Sequence, residues 1–187
     1  MTTNDILTSI TDWTNWASNP QNKRYDIALL KIWIQFEKFI SELFVLYATG
    51  DTSESGFKPN LKLQFQSEEQ LNAFLKEGNK TYIEFPTQIK KLSKHIFDNN
   101  PFDTAIFSDV NNWNAYNEII AIRNYIAHES GESKTKYIKT CLGNNEANFK
   151  EPNDLLQSKK KQSNNTYYTY YIDSIKAMCS ILISPPQ

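Results

Sequence analysis

The sequence predicts an all-α fold, a bundle of four to six helices in a single domain over residues 1–187. Three observations support the all-α prediction. A chain of 187 residues, 40% of them hydrophobic, is long enough to bury its own core. Only five residues are glycine, which argues against a fold rich in tight turns. The long apolar segments repeat at the three- and four-residue spacing of a helix.

Two helices are predicted in the first 50 residues. Residues 4–17 carry apolar side chains at helical spacing, with Asn4 or Asp5 as the cap. Residues 24–48 give the strongest helix pattern, because one polar stripe runs along a segment in which nearly every other side chain is apolar. The stripe consists of Lys31, Gln35, Lys38 and Glu42. Gly50 suits a left-handed cap at the end of this helix.

The middle of the chain predicts two shorter helices. Residues 51–66 begin as a loop and end in LKLQFQ, which is either a short strand or an ordered loop. Ser67 and Gln70 form a capping-box pattern that opens the next helix. Residues 85–97 have helical spacing and form the second one.

The last third predicts two helices with a loop between them. Residues 109–129 form the first of these helices. Residues 130–165 are polar and rich in Lys and Asn, and are predicted to be mostly loop. Residues 166–183 form the last helix, which has a single apolar stripe. That stripe consists of Tyr168, Ile172, Ile175, Cys179 and Leu182.

Composition excludes several classes of protein. A net charge of −1 and a pI near 6.1 do not fit a polycation that coats nucleic acid. Cys141 and Cys179 form no CxxC pair, and no cluster has the spacing of metal ligands, so we expect no metal and no cofactor. The start of the chain lacks the pattern of a signal peptide, and no stretch has the length of a membrane span. The sequence therefore predicts a cytoplasmic protein.

Residues 121–130, AIRNYIAHES, concentrate rare residue types. The chain has two arginines and two histidines, and Arg123 and His128 fall within six residues, with Asn124 between them. On a helix these three side chains lie outside the core face formed by Ile119, Ile122 and Ile126. Trp113, Tyr116 and Ile120 fall in the same sector and predict a second apolar strip that contacts another helix or another subunit.

This trio suits phosphate chemistry. His titrates near neutral pH and can transfer a proton, whereas Arg binds phosphate oxygens in bidentate fashion. RNA supplies its own nucleophile, the 2′-hydroxyl, so a ribonuclease can act without a metal. A structural interpretation stays open at this point. Arg123 could pair with a surface carboxylate, and the helix dipole favours a histidine such as His128 near a helix C-terminus whatever its role.

Other basic and aromatic residues are weaker candidates. The segment from Lys134 to Lys161 has seven lysines and three acids and could contact RNA phosphates. Its candidates are Lys134, Lys136, Lys159, Lys160 and Lys161. Four tyrosines near the start of the last helix are interpreted as core residues, with base stacking as the weaker alternative. They are Tyr167, Tyr168, Tyr170 and Tyr171. His95 is expected to be solvated at a helix end.

The stretch EIIAIRNYIAHES, residues 118–130, resembles the signature of the HEPN superfamily (higher eukaryotes and prokaryotes nucleotide-binding). Members carry Arg, usually a polar residue next, and His after four to six intervening residues, on a late helix of an α-bundle. The long apolar helices before the motif and the amphipathic helix after it also fit, so the resemblance implies a HEPN-like helical bundle. The resemblance implies a metal-independent endoribonuclease, usually a homodimer and often a toxin or phage-defence effector with a cognate antitoxin or regulator. Arg123, Asn124 and His128 take the family's catalytic positions.

Two further points follow from the resemblance. Many members place an acidic or polar residue on an early helix near the motif Arg. Glu37, about 130° from the solvent stripe of its helix, is our candidate, although pairing with a lysine is equally compatible with the sequence. In one branch a Tyr stands two residues after the His and is adenylylated. Ser130 occupies that position here, so this control is not expected.

Two other functions stay open. One is a catalytically inactive HEPN module that binds RNA, a nucleotide or a partner protein. The other is an unrelated helical interaction domain, in which Arg123 and His128 would be buried and ion-paired apart from each other.

Overall fold

The structure is a computed structural model that describes residues 2–75, 87–161 and 163–186. In these ranges the chain is helical and has no strand, only isolated bridges such as Leu61 with Phe97, so the all-α prediction is confirmed. The α-helices are α1 (Thr3–Ser18), α2 (Tyr25–Ala48), α3 (Glu68–Leu75), α4 (Thr87–Ile96), α5 (Val110–His128), α6 (Gly131–Cys141), α7 (Pro152–Gln157) and α8 (Tyr167–Ile183). A π-helical turn spans Asp103–Phe107, and a 3₁₀ turn spans Glu146–Asn148.

The prediction that residues 130–165 are mostly loop is wrong. This segment forms α6 and α7, so the described residues contain eight α-helices, more than the four to six expected. Ser130 caps α6, and Pro152 is a first-turn residue of α7, where a missing N–H costs nothing. Both helices bury apolar side chains among their polar ones. These are Tyr137 and Ile138 in α6, and Leu155 and Leu156 in α7.

The six predicted helices are all present, with shifted ends. The α1 helix begins at Thr3, so Asn4 and Asp5 lie inside its first turn and do not cap it. At α3, Gln70 N–H donates to Ser67 Oγ at 3.3 Å, as the capping box predicts, but Gln70 Oε1 accepts from the N–H of Gln66. The start of the segment 85–97 lies outside the described residues, as does the end of the segment that opens with α3. The LKLQFQ stretch is an ordered loop.

The chain divides into two compact units. The first contains Met1–Thr3, Glu37–Asp109 and Ala177–Gln187, and the second contains Asn4–Phe36 and Val110–Lys176. The prediction of a single domain stays a prediction. No helix in the described residues has the length and apolar composition of a membrane span.

Aromatic side chains form the core of the first unit. The Phe44 and Tyr47 rings pack edge-on against Phe97, with ring centres 5.7 and 6.4 Å apart, and Phe97 stacks on Phe102 at 5.7 Å. Tyr47 Oη donates to the carbonyl oxygen of Leu182 at 2.8 Å. Burial of Tyr47, opposed by a hydrogen bond with Ser53, raises its pKa to about 12. The last turn of α8 is thereby held to α2 within this unit.

Gly50 ends α2 as predicted. Its φ is +89°, and its N–H donates to Tyr47 O while Asp51 N–H donates to Leu46 O, which is the Schellman pattern. A Cβ added here would lie 2.7 Å from Gln64 Nε2.

The core of the second unit surrounds Trp33. This fully buried ring packs against Phe36 at 5.2 Å and against Tyr116 of α5 at 5.1 Å. The predicted stripe of α8 is buried along its whole length, with every member at most 5% exposed. Of the tyrosines at its start, Tyr168 and Tyr171 are core residues, whereas Tyr167 and Tyr170 are half-buried.

Replacing Gly50 by Ala is expected to destabilise the chain by about 1 kcal/mol, because an L-residue is strained at positive φ. Gly131→Ala is the matched control. Gly131 starts α6 in open space, so Ala there is expected to be neutral or slightly stabilising. Urea unfolding of both variants measures the difference. Equal stability of the two variants would contradict the strain at Gly50.

Candidate functional site

The motif helix α5 ends in a two-residue reversal. His128 is its last residue, Glu129 has a left-handed φ of +46°, and Ser130 returns to an extended conformation. Ser130 Oγ accepts from the N–H of Ser133 at 3.2 Å, and Ser133 Oγ accepts from the N–H of Ser130 at 3.1 Å. This reciprocal cap starts α6 at once. The α5 and α6 helices therefore form an αα-hairpin directly after the motif.

Aromatic stacking holds the two helices in register. The rings of Tyr125 and Tyr137 are stacked with centres 5.3 Å apart, and Phe149 packs edge-on against both. Tyr137 Oη donates to a backbone carbonyl at 2.8 Å, and burial raises its pKa. Farther along the hairpin, Cys141 Sγ lies 3.5 Å from the carbonyl oxygen of Glu118. These pairs set α6 antiparallel to α5.

The three motif side chains lie in adjoining positions. Arg123 is half-buried, and its Nη1 donates to Asn124 Oδ1 at 2.9 Å. Asn124 and the exposed His128 border a cavity of about 490 Å³ in the α5–α6 hairpin. Lys136 of α6 borders the same cavity. Asn124 thus connects the guanidinium of Arg123 to a cavity that also contains an imidazole and an ammonium group. We call it the motif cavity.

Outside the motif, the two further candidates are Glu37 and His95. Glu37 is half-buried on α2 and belongs to the first unit, whereas Arg123 belongs to the second. Pairing of Glu37 with Arg123 stays a prediction. His95 is exposed in the last turn of α4, which confirms its expected solvation.

The five candidate lysines differ in their surroundings. Lys136 lies beside the motif, and Lys134 places its Nζ 4.4 Å from the centre of the Phe149 ring. Lys159 and Lys161 are exposed in the segment before α8. Lys160 is engaged within the chain, so RNA contact by its ammonium would require those contacts to break.

The contacts of Lys160 are with one carboxylate and two rings. Its Nζ lies 3.9 Å from Glu118 Oε2, 3.7 Å from the centre of the Tyr170 ring and 5.2 Å from that of Tyr167. Aromatic faces attract a cation, so the ammonium is stabilised on several sides. These contacts anchor the segment before α8 onto α5.

The predicted second apolar strip contacts another helix at Tyr116, which is one of the two partners that were expected for it. Tyr116 is fully buried inside the protein, where its ring packs on Trp33 and stacks on Trp113 at 5.9 Å. Trp113 and Ile120 are half-buried. Tyr116 therefore cannot contribute to a subunit interface. Polar residues are instead spaced along α5 in successive turns up to the motif: Asn114, Asn117, Asn124 and His128, with Ala121 among them.

A second cavity of about 390 Å³ lies along the same hairpin, and Lys136 borders both cavities. Glu118 is the one acidic residue among the described residues that line it. Glu118 Oε2 accepts from Tyr171 Oη at 3.0 Å and faces Lys160. Burial raises the pKa of Glu118, against the opposing effects of Lys160 and Tyr171. Glu118 was not predicted as a site residue, although it falls one turn after Asn114 and could have been found by helical spacing.

A larger cavity of about 550 Å³ lies between α1, α7 and α8 and contains none of the motif residues. Several of its hydroxyl groups are bonded within the protein. Thr14 Oγ1 hydrogen bonds with Tyr168 Oη at 2.9 Å, and Thr11 Oγ1 donates to Leu7 O at 2.9 Å. The α5–α6 hairpin is therefore the stronger candidate site.

Within the described residues, no three His, Cys, Asp or Glu side chains are grouped so that they could hold a metal ion. Comparison of the chain with protein-family models, with curated proteins and with solved structures gave no match.

Replacing Glu118 by Gln is expected to alter the pH dependence of stability. The folded chain holds the Glu118 proton more tightly than the unfolded chain does, because its pKa is raised above 4.5. The wild type therefore loses stability as the pH rises through the raised pKa, and Glu118→Gln lacks this loss. The free energy of unfolding of Glu118→Gln should therefore rise relative to that of the wild type between about pH 4 and pH 7. Urea unfolding across this range measures it, and a constant or shrinking difference would contradict the raised pKa.

Proposed function

We propose that this protein is a metal-independent endoribonuclease of the HEPN type and acts as a toxin or phage-defence effector. The observation that carries the proposal is the motif cavity, which Asn124, His128 and Lys136 border together. The guanidinium of Arg123 reaches this group through its hydrogen bond to Asn124. An imidazole, a guanidinium and an ammonium within one hairpin suit a phosphodiester in RNA.

The chemistry begins with the 2′-hydroxyl of the RNA. His128 accepts its proton as the oxygen attacks the adjacent phosphorus, and the bond to the 5′-oxygen breaks. The products are a 2′,3′-cyclic phosphate and a 5′-hydroxyl, and the leaving oxygen takes up a proton. Arg123 stabilises the negative charge on the phosphoryl oxygens, and Asn124 orients the guanidinium. Glu37 is proposed to pair with Arg123.

RNA on both sides of the scissile bond would contact exposed lysines. Lys136 borders the motif cavity, and Lys134 lies one half-turn earlier on α6. Lys159 and Lys161 are exposed and add positive charge that an RNA backbone would neutralise.

His128→Ala and Arg123→Ala are each expected to lower the rate of RNA cleavage by at least about 100-fold, the effect of losing a general acid/base or a charge-stabilising group. His95→Ala is the matched control, because His95 is also an exposed histidine near a helix C-terminus. It is expected to cleave at the wild-type rate. Purified proteins incubated with labelled RNA provide the measurement.

The same reactions define the mechanism. Cleavage is expected to continue in chelator, to leave 2′,3′-cyclic phosphate ends and to spare DNA of the same sequence. Wild-type rates in the His128→Ala variant would contradict the proposal, as would a strict requirement for Mg²⁺. RNA that is bound but never cut would instead support an inactive HEPN module.

A homodimer with a shared site is part of this proposal. The attack needs one group that takes a proton and one that gives a proton, but each chain has a single motif histidine, His128. A two-fold axis beside the motif would bring two copies together. Mixing wild type with an excess of His128→Ala should therefore lower the activity per wild-type chain by at least about tenfold as heterodimers form. Constant activity per wild-type chain after confirmed subunit exchange would show that each protomer acts alone.

A further inference from the structure

The second cavity is aligned with the motif on α5. Asn117 and Asn124 are seven residues apart, as are Ala121 and His128, so each pair lies on the same face of the helix about 10 Å apart. Lys136 of α6 borders both cavities. An RNA strand with its phosphate at the motif can therefore place a neighbouring nucleotide in the second cavity.

The chemistry of this cavity suits a nucleobase better than a phosphate. Its volume of about 390 Å³ is that of a small-ligand pocket. Ile120 and Ala121 supply apolar surface, and Glu118, Lys136 and Thr140 supply polar groups. The partly buried carboxylate of Glu118 disfavours an anion more than the exposed Glu132 of the motif cavity does, and it accepts hydrogen bonds from a base edge.

The contacts of Glu118 leave one of its carboxylate oxygens available as a hydrogen-bond acceptor. Its contacts with Tyr171 and Lys160 both fall on Oε2, and among the described residues no donor contacts Oε1, which is available to a ligand. Asn117 Nδ2 donates to Trp113 O at 2.8 Å, so Asn117 Oδ1 is a second oriented acceptor. Two acceptors select a base edge with two adjacent donors, and among the RNA bases only guanine has this pair, N1–H and N2–H₂. Lys136 can donate to guanine O6.

We propose that the second cavity is a guanine-binding subsite, in which Glu118 and Asn117 accept from N1–H and N2–H₂ and Lys136 donates to O6. The subsite rests on the proposed function, because it selects the nucleotide beside the bond that His128 acts on.

The first experiment measures binding without cleavage. The ¹⁵N-labelled protein is titrated with GMP, AMP, CMP and UMP, and amide shifts are followed by NMR. GMP is expected to bind about tenfold more tightly than the others, the scale of a good base contact, and to shift the signals of Glu118, Lys136 and Thr140. Glu118→Gln should lose the preference. Equal affinity for the four nucleotides, or shifts elsewhere, would overturn the subsite.

Glu146→Gln is the matched control. It makes the same carboxylate-to-amide change at an exposed residue outside the lining of both cavities, so the preference for GMP is expected to persist. Loss of the preference in both variants would show that it does not depend on the Glu118 contact and would count against the subsite. Asn117→Ala, checked for a native NMR spectrum, is an independent variant that should also weaken the preference for GMP. Retention of that preference in Asn117→Ala would contradict the proposed contact.

The second experiment separates the subsite from the proposed function. Cleavage sites in a random RNA pool are mapped for the wild type and for Glu118→Gln. The wild type should cut next to guanine about tenfold more often than next to other bases, and Glu118→Gln should lose this bias. Metal-independent cleavage without base preference would overturn the subsite and leave the ribonuclease intact. Selective GMP binding without cleavage would retain the guanine site and overturn the ribonuclease.

Discussion

The short reversal between α5 and α6 is the constraint on which the candidate site depends. Glu129 adopts a left-handed conformation and Ser130 forms a reciprocal cap with Ser133, so the chain turns back within two residues. A longer connection would not fix which residues of α6 stand beside the motif. Because the reversal is tight and Tyr125 stacks on Tyr137, Lys136 borders the same cavity as His128. The positions of His128 and Lys136 thus follow from local backbone geometry rather than from a flexible loop.

At the other end of the hairpin, the packing depends on the partly buried carboxylate of Glu118. A carboxylate that leaves water needs donors to offset its lost hydration, and Glu118 has the Tyr171 hydroxyl and the Lys160 ammonium. Lys160 in turn lies against the Tyr170 ring. This arrangement joins α5 to α8 and to the segment before it. Removing one partner of such a cluster is more disruptive than removing a surface ion pair, because the remaining charge is left without compensation.

Helical periodicity made much of the fold predictable. The stripe of α8 is buried as expected, and Gly50 ends α2 in the predicted left-handed conformation. The α6 and α7 helices were missed because the Lys- and Asn-rich composition of residues 130–165 obscured their short apolar patterns. In the site, the adjacency of Asn124 and His128 followed from spacing alone. The burial of Tyr116 did not, because it depends on packing against Trp33 of another helix. The same holds for the anchoring of Glu118, which requires residues far along the chain.

The two cysteines have a practical consequence for studies of motion in solution. Cys141 and Cys179 are the only thiols in the sequence, and burial raises the pKa of both. Thiolate is the reactive form, so neither side chain should be readily alkylated by a maleimide in the folded protein. A cysteine introduced for Glu132, an exposed residue at the rim of the motif cavity, would then be the one site that takes up a fluorophore. The emission of that fluorophore would then report changes at the motif cavity without replacement of any native thiol.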